Sequence, residues 1–182
     1  MGIRTECIEI QSICEAFFAK LNSKGNDPNQ RIPMANVRAR VRMIILYHYA
    51  NLNNYLVIGT GDRSEGLIGY FTKYGDGGVD FEPIAHLYKT QVRKLAKYLG
   101  VPEKIANKPS SPQLYPGHKA TDEIPLTYEK IDPILIALFN DKLSPIQASQ
   151  KTETPIELIN QVLSRYNQSK HKRKTPPMLK EW

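Results

Sequence analysis

Apolar positions recur along this chain with two periods. Ile13, Phe17 and Leu21, joined by Cys14 and Phe18, keep the i, i+4, i+8 spacing of one helix face and predict a helix over Gln11 to Leu21. Glu6 to Ile10, just before it, reads as a short strand, and Asn22 to Pro33 is a loop rich in turn formers. A stripe of Val37, Val41, Ile44, Ile45 and Tyr49 predicts a longer helix over Met34 to Leu52. That helix feeds the apolar run Leu56-Val57-Ile58 in a buried strand over Tyr55 to Gly59. Strands alternating with helices predict an α/β fold built on a parallel sheet. Val92, Leu95, Ala96 and Leu99 then mark an amphipathic helix within Pro83 to Leu99, stopped by Gly100 and Pro102. Asn107 to Thr127, with Pro109, Pro112, Pro116, Gly117 and Pro125, reads as a long loop of the kind that carries function or motion. Tyr128 to Asn140 is helical if Pro133 begins a turn instead of interrupting one. Ser144-Pro145-Ile146-Gln147 and Thr154-Pro155-Ile156-Glu157 each supply a cap, a proline at the first helical position and a capping-box partner. The second helix carries the stripe Ile156, Ile159, Val162, Leu163 and Tyr166.

Composition narrows the class. The chain has 182 residues, enough for one domain with a substantial core, and 41% of them are hydrophobic. No stretch reaches the roughly 20 apolar residues of a membrane span, and MGIRTECIEI has neither the apolar core nor the cleavage site of a signal peptide. Glu6 breaks the myristoylation pattern that Met1-Gly2 invites. The reading is cytoplasmic, without membrane. Cys7 and Cys14, the two cysteines, lack metal or redox spacing and read as small buried hydrophobes. A net charge of +7 favours anionic partners, and part of the excess lies in the tail: Lys170, Lys172, Arg173, Lys174 and Lys180 against Glu181.

Candidate chemistry gathers after the second strand. In an open α/β sheet ligands bind beyond the carboxyl ends of strands, where Thr60, Glu65, Lys73 and Asp80 follow. Each has an ordinary reading as well. Asp62 and Glu65 keep the D-x-x-E spacing of a capping box. Gly75, Gly77 and Gly78 suit a surface turn through positive φ angles, with Asp76 bonding local backbone, although that leaves Lys73 and Asp80 unexplained. Arg38, Arg40 and Arg42 suit a solvated helix face. Lys89 suits the start of a solvated helix, and Lys172 with His171 a solvated basic tail. His48, His86 and His118 stand singly, so none reads as a metal ligand.

GTGDRSEGLIGYFTKYGDGGVD, preceded by NVRARVRM and followed by LYKTQVRKLAKYLGVP and KPSS, resembles the C-terminal two-thirds of an NAD synthetase of the ammonia-dependent type. The agreement runs in order from about Ile8 to the HKR of the tail. The resemblance implies a Rossmann-like, adenine nucleotide α-hydrolase-like parallel sheet with helices on both faces. It treats residues 1–182 as a single synthetase domain, N-terminally truncated and incomplete. It also implies the last step of NAD biosynthesis, ATP-dependent amidation of deamido-NAD with ammonia to NAD, AMP and pyrophosphate through an NAD-adenylate, in a homodimer that uses Mg2+. By the same resemblance Thr60, Lys89 and Ser111 bind ATP and Glu65 coordinates the metal. Arg40, Lys73, Asp80, His171 and Lys172 bind deamido-NAD, the His-Lys pair reaching it from a second subunit, and Asp80 serves as a catalytic group that holds or deprotonates ammonium.

Two departures shape the expectation. The family's ATP loop, Ser-Gly-Gly-x-Asp-Ser, has no counterpart here, and Lys108-Pro109-Ser110-Ser111 lacks the second proline that commonly precedes the last serine. The chain is therefore expected to need a preceding segment, joined or as a separate N-terminal fragment, for adenylation, and to expose apolar strand edges without it. The competing readings are a partner-dependent or non-catalytic nucleotide-binding remnant of the family and a nucleic-acid-binding module. The second is disfavoured because the basic residues lack interleaved aromatic stacking positions.

Overall fold

The structure is a computed structural model that describes residues 2–25, 27–111, 114, 123–124 and 126–179. Pro112, Pro116, Gly117, His118 and Pro125 of the expected long loop, and Lys180 and Glu181 of the tail, lie outside the described residues. The chain forms two compact units, residues 1–57 with 72–81 and residues 58–71 with 82–182.

The first unit is a helix pair. In α1 (Gln11–Lys20), Cys14 and Phe18 pack against Val41 of α2 (Pro28–Asn53), with Ile10, Met34, Val37 and Ile45 around them. The Arg38 guanidinium lies 4.8 Å from the centre of the Phe18 ring. α2 starts a turn and a half earlier than its apolar stripe predicts. Asp27 caps it by accepting from Asn29 N–H at 2.9 Å, and Pro28 takes the first position, where its missing N–H costs nothing. Pro33 is accommodated inside the helix. Asn54 ends it in the left-handed conformation, φ 55°. Cys14 is buried, which raises its thiol pKa, but Cys7 is exposed, contrary to the expectation for both.

Neither expected strand forms among the described residues. Residues 6–10 have no regular secondary structure, and within Tyr55 to Gly59 only Ile58 takes a bridge conformation. A strand exists only as part of a ladder, and what the described residues supply at this point is the pair of bonds from Asp80 N–H and Phe81 N–H to the Val57 carbonyl. Leu56 and Ile58 are 73% and 62% exposed with Val57 buried between them, so the period of two survives without the burial. The expected parallel sheet is likewise absent among the described residues, and helices build both units.

The second unit has the larger core. Ile68 of α3 (Arg63–Ile68), Ile131, Ile134 and Leu135 of α6 (Tyr128–Leu135), Ala148 of α7 (Pro145–Thr152) and Ile159 and Val162 of α8 (Ile156–Gln168) meet there, with Tyr88 alongside. Between α3 and α6 lie α4 (Lys89–Tyr98) and a single turn, α5 (Glu103–Ala106). α4 falls within the span predicted for it, and Leu95 and Leu99 of the predicted apolar stripe are exposed. Pro133 sits inside α6, and the chain continues through a π-helical turn, Ile136–Asn140. The Ser144 capping box forms, whereas Thr154 makes no cap on α8 and donates its hydroxyl to the Thr152 carbonyl at 3.1 Å. Glu153, at φ 49°, ends α7 in the left-handed conformation.

Candidate active site

In the second unit the structure joins Glu65 to Lys89. Asp62 is the N-cap of α3, and the capping box is complete: Glu65 N–H donates to Asp62 Oδ1 at 3.0 Å, and Asp62 N–H donates to Glu65 Oε2 at 3.2 Å. The box occupies only half of each carboxylate. Glu65 Oε1 accepts from Lys89 Nζ at 2.6 Å, and Asp62 Oδ2 pairs with the same ammonium. The capping reading and the ligand reading of Glu65 are therefore compatible.

Charge is concentrated in this cluster. Burial pushes the Glu65 carboxyl above its usual range, the Asp62 charge adds to that, and Lys89 opposes both. Burial by itself would lower the Lys89 ammonium, but the charges of Glu65 and Asp62 outweigh it and raise its pKa. The Tyr128 ring lies 5.3 Å from Lys89 Nζ, and its buried hydroxyl has no hydrogen-bond partner among the described residues. Burial, then Glu65 and Asp62, raise that phenol far enough to keep it neutral. Two carboxylates thus face one ammonium beside a neutral phenol. A hard cation that retains water and shares phosphate oxygens needs one or two such carboxylates, so Asp62 and Glu65 fit magnesium. Among the described residues no three potential metal ligands of the His, Cys, Asp and Glu types stand together, so phosphates and water would complete its shell.

A second network, centred on the buried Ser64 and Asp132, lies behind this one. Asp132 of α6, 1% exposed, accepts from Ser64 Oγ at 2.5 Å and from Thr90 N–H at 2.8 Å, while Ser64 Oγ accepts from Lys89 N–H at 2.9 Å. Asn140, at the end of the π-helical turn, accepts from Arg63 Nη2 at 2.8 Å and from the Tyr88 hydroxyl at 2.9 Å. None of these was singled out from the sequence. Asp132 left a signal: it is an acid within the apolar run Ile131 to Leu138.

The other candidates of this unit are separately held. Thr60 is exposed beyond Val57, and Ser111 is half-buried beside Ser110, whose hydroxyl meets Arg93 Nη2 at 3.4 Å. His171 is exposed, but Lys172 is not a free tail: its amine donates to the carbonyls of Gly69 at 2.8 Å and Phe71 at 2.7 Å. Arg173 donates to Gly66 and Leu67 carbonyls at 3.1 Å and stacks 4.3 Å from the Tyr166 ring. The two cations satisfy carbonyls at and just beyond the C-terminal end of α3, a structural task that corrects the solvated-tail reading.

The first unit carries Arg40, Lys73 and Asp80. The segment 72–80 is laid along one face of α2: Thr72 Oγ1 donates to Asn36 at 2.7 Å, Arg40 Nη2 to the Lys73 carbonyl at 3.3 Å, and the Tyr47 hydroxyl to Asp80 Oδ1 at 3.0 Å. Asp80 Oδ2 takes the Val57 N–H at 2.7 Å. The glycines serve close approach, not positive φ. A Cβ on Gly75 would stand 3.0 Å from that of Ala39, and one on Gly78 would stand 3.1 Å from Met43, while the left-handed residue of the turn is Tyr74, φ 59°. Arg40 is thus spent on backbone, and Lys73 Nζ lies 5.1 Å from the Tyr74 ring.

Comparison with known proteins assigns the fold. Solved structures with similar coordinates include an NMN synthetase from Francisella tularensis (TM-score 0.80, 36% identity, 98% of this chain and 67% of that one). Another is the NH3-dependent NAD synthetase of Campylobacter jejuni (TM-score 0.73, 34% identity, 95% and 64%). Curated relatives named NH(3)-dependent NAD(+) synthetase, from Hyperthermus butylicus and Staphylothermus marinus, are 55% and 50% identical over 97% of the chain. The chain spans 63% of the length of each. No helix among the described residues is long and apolar enough to cross a membrane. A family profile described as NAD synthase matches residues 1–176, and the chain belongs to that family.

Proposed function

We propose that this chain is the phosphate- and dinucleotide-contacting part of a cytoplasmic, homodimeric, ammonia-dependent NAD synthetase. The observation that carries the reading is the Asp62, Glu65 and Lys89 cluster at the first turns of α3 and α4. In the reaction the nicotinate carboxylate of deamido-NAD attacks the α-phosphorus of ATP, pyrophosphate leaves, and ammonia then displaces AMP from the acyl adenylate. Magnesium, when bound, neutralises charge that develops on the phosphates. Asp62 and Glu65 would hold the cation, and Lys89 would bind phosphate oxygens, with Thr60 and Ser111 as further ATP contacts. Arg40, Lys73 and Asp80 contact the dinucleotide, and His171 and Lys172 reach it from a second subunit. Asp80, oriented by Tyr47 and the Val57 N–H, holds incoming ammonium and takes its proton.

The Francisella likeness favours one second reading, in which the amidated substrate is the mononucleotide that gives NMN. The test is amidation by these 182 residues, alone and joined to the segment that precedes them in the family, with ATP, magnesium, ammonia and either deamido-NAD or nicotinate mononucleotide. NAD and AMP in equal amounts are expected. A preference for the mononucleotide would replace the substrate, and no turnover in either form would leave a nucleotide-binding remnant.

A further inference from the structure

α4 is capped only in part by its own sequence: Gln91 Oε1 accepts from the Tyr88 N–H at 2.9 Å. Tyr88 at its N-cap offers no side-chain oxygen to the free N–H groups of the first turn. They are taken instead from other helices: Lys89 N–H by Ser64 Oγ of α3, and Thr90 N–H by Asp132 Oδ2 of α6. A local serine or aspartate cap would stabilise α4 equally well and leave it free to shift against α3. The remote cap does more, because Ser64 immediately precedes Glu65 and Lys89 is the first residue of α4. One hydroxyl, oriented by one buried carboxylate, therefore fixes the backbone positions from which Glu65 and Lys89 reach each other.

We infer that Asp132 and Ser64 are positioning residues that set the separation of Glu65 and Lys89, and that they govern ATP binding through Lys89. The inference rests on the assignment of Glu65 and Lys89 to magnesium and ATP phosphates. The chemistry of the pair is demanding. A carboxylate shielded from water needs a donor at each oxygen, and the Ser64 hydroxyl and the Thr90 N–H supply them. An asparagine can serve the Thr90 N–H, but then points its NH2 at Ser64 Oγ, which already accepts from Lys89 N–H, and the Ser64 hydrogen loses its acceptor. Asp132→Asn thus keeps the shape and reverses the polarity of the link.

The test is a double-mutant cycle in the active form of the protein. Ser64→Ala and Asp132→Asn are made alone and with Lys89→Met. Magnesium-ATP binding is measured by calorimetry, KM and kcat separately for ATP and deamido-NAD, and melting temperature in parallel. Each single change should weaken ATP about tenfold and leave the KM for deamido-NAD in place, while on the Lys89→Met background neither should add more than about twofold. Ser64→Ala removes only one oxygen atom, so it carries the test if Asp132→Asn does not fold. Full additivity with Lys89→Met, or equal loss of both substrates, would reduce the pair to fold support and overturn the inference. If Lys89→Met itself leaves ATP binding intact, the site assignment fails and takes the inference with it. A loss confined to ATP and absent without Lys89 is the supporting result.

Discussion

The segment around α3 and the segment 72–80 both carry candidate ligand residues, and they are held by opposite means. Around α3 the side chains hold one another: Glu65 and Asp62 share Lys89, Asp132 and Ser64 tie α4 to α3, and Lys172 and Arg173 close the far end of the same helix. Along α2 the hydrogen bonds are separate pairs, Thr72 to Asn36, Arg40 to the Lys73 carbonyl and Tyr47 to Asp80, and the fit is made by missing side chains, at Gly75 and Gly78. The α3 cluster must exchange partners when a ligand arrives, because its ammonium is already paired with both carboxylates. Segment 72–80 is set in place beforehand, with Lys73 Nζ resting near the Tyr74 ring. Strain should therefore spread in the first region and remain local in the second.

Gly69 is the sharpest place to break that contrast. It ends α3 with φ 68°, and a Cβ there would stand 2.1 Å from Ser169 Cβ, so Gly69→Ala meets both a disfavoured backbone and an overlap. About 3 kcal/mol of stability should be lost in urea unfolding, with ATP binding weakened as α3 shifts. Ser169→Gly should recover the overlap part alone. Retention of full stability would mean that α3 is not locked by the tail. Gly75→Ala comes next, at about 2 kcal/mol from contacts of 2.9 Å with Thr72 and 3.0 Å with Ala39. Its effect should fall on dinucleotide binding and spare ATP, and a matched loss of ATP binding would erase the distinction between the regions. Arg173→Ala, which frees the Gly66 and Leu67 carbonyls, should cost about 1 kcal/mol. It should also speed amide exchange at the C-terminal end of α3, and unchanged exchange would argue against the capping role.

Much of the helical frame was legible because amphipathic stripes and caps are local. The Ser144 box and the core positions Ile159 and Val162 follow from spacing alone. The strands were not, since a strand's existence depends on a partner segment that sequence spacing does not reveal. At the site, the Asp62 and Glu65 box could be read off four consecutive residues, and Lys89 was a named candidate, but their meeting required the α3 and α4 first turns to be tied together at a distance. The tie is Asp132, legible only as an acid in an apolar run. Gly75 was legible as a necessary glycine for the wrong reason: the requirement comes from Ala39 on a helix far back in the sequence, not from its own φ.

The smallest effect separates the two regions by pH. Burial and Asp62 raise the Glu65 pKa above 4.5, so the folded state holds the Glu65 proton more tightly than the unfolded chain does. A group shifted in that direction contributes stability that is fully present below pH 4.5 and is lost as pH rises through its raised value. Once ionised, Glu65 carries a charge that burial and Asp62 disfavour, offset in part by Lys89. Glu65→Gln keeps an oxygen for the Asp62 N–H and removes the titration. The variant should be slightly more stable than the parent at pH 7, and the parent should regain the difference as the pH falls toward 4.5. Urea unfolding at a series of pH values, without nucleotide, measures this directly. A parent and variant whose stabilities change in parallel over that window would show that Glu65 is not held against its charge, and the α3 cluster would then be as preset for its ligand as segment 72–80.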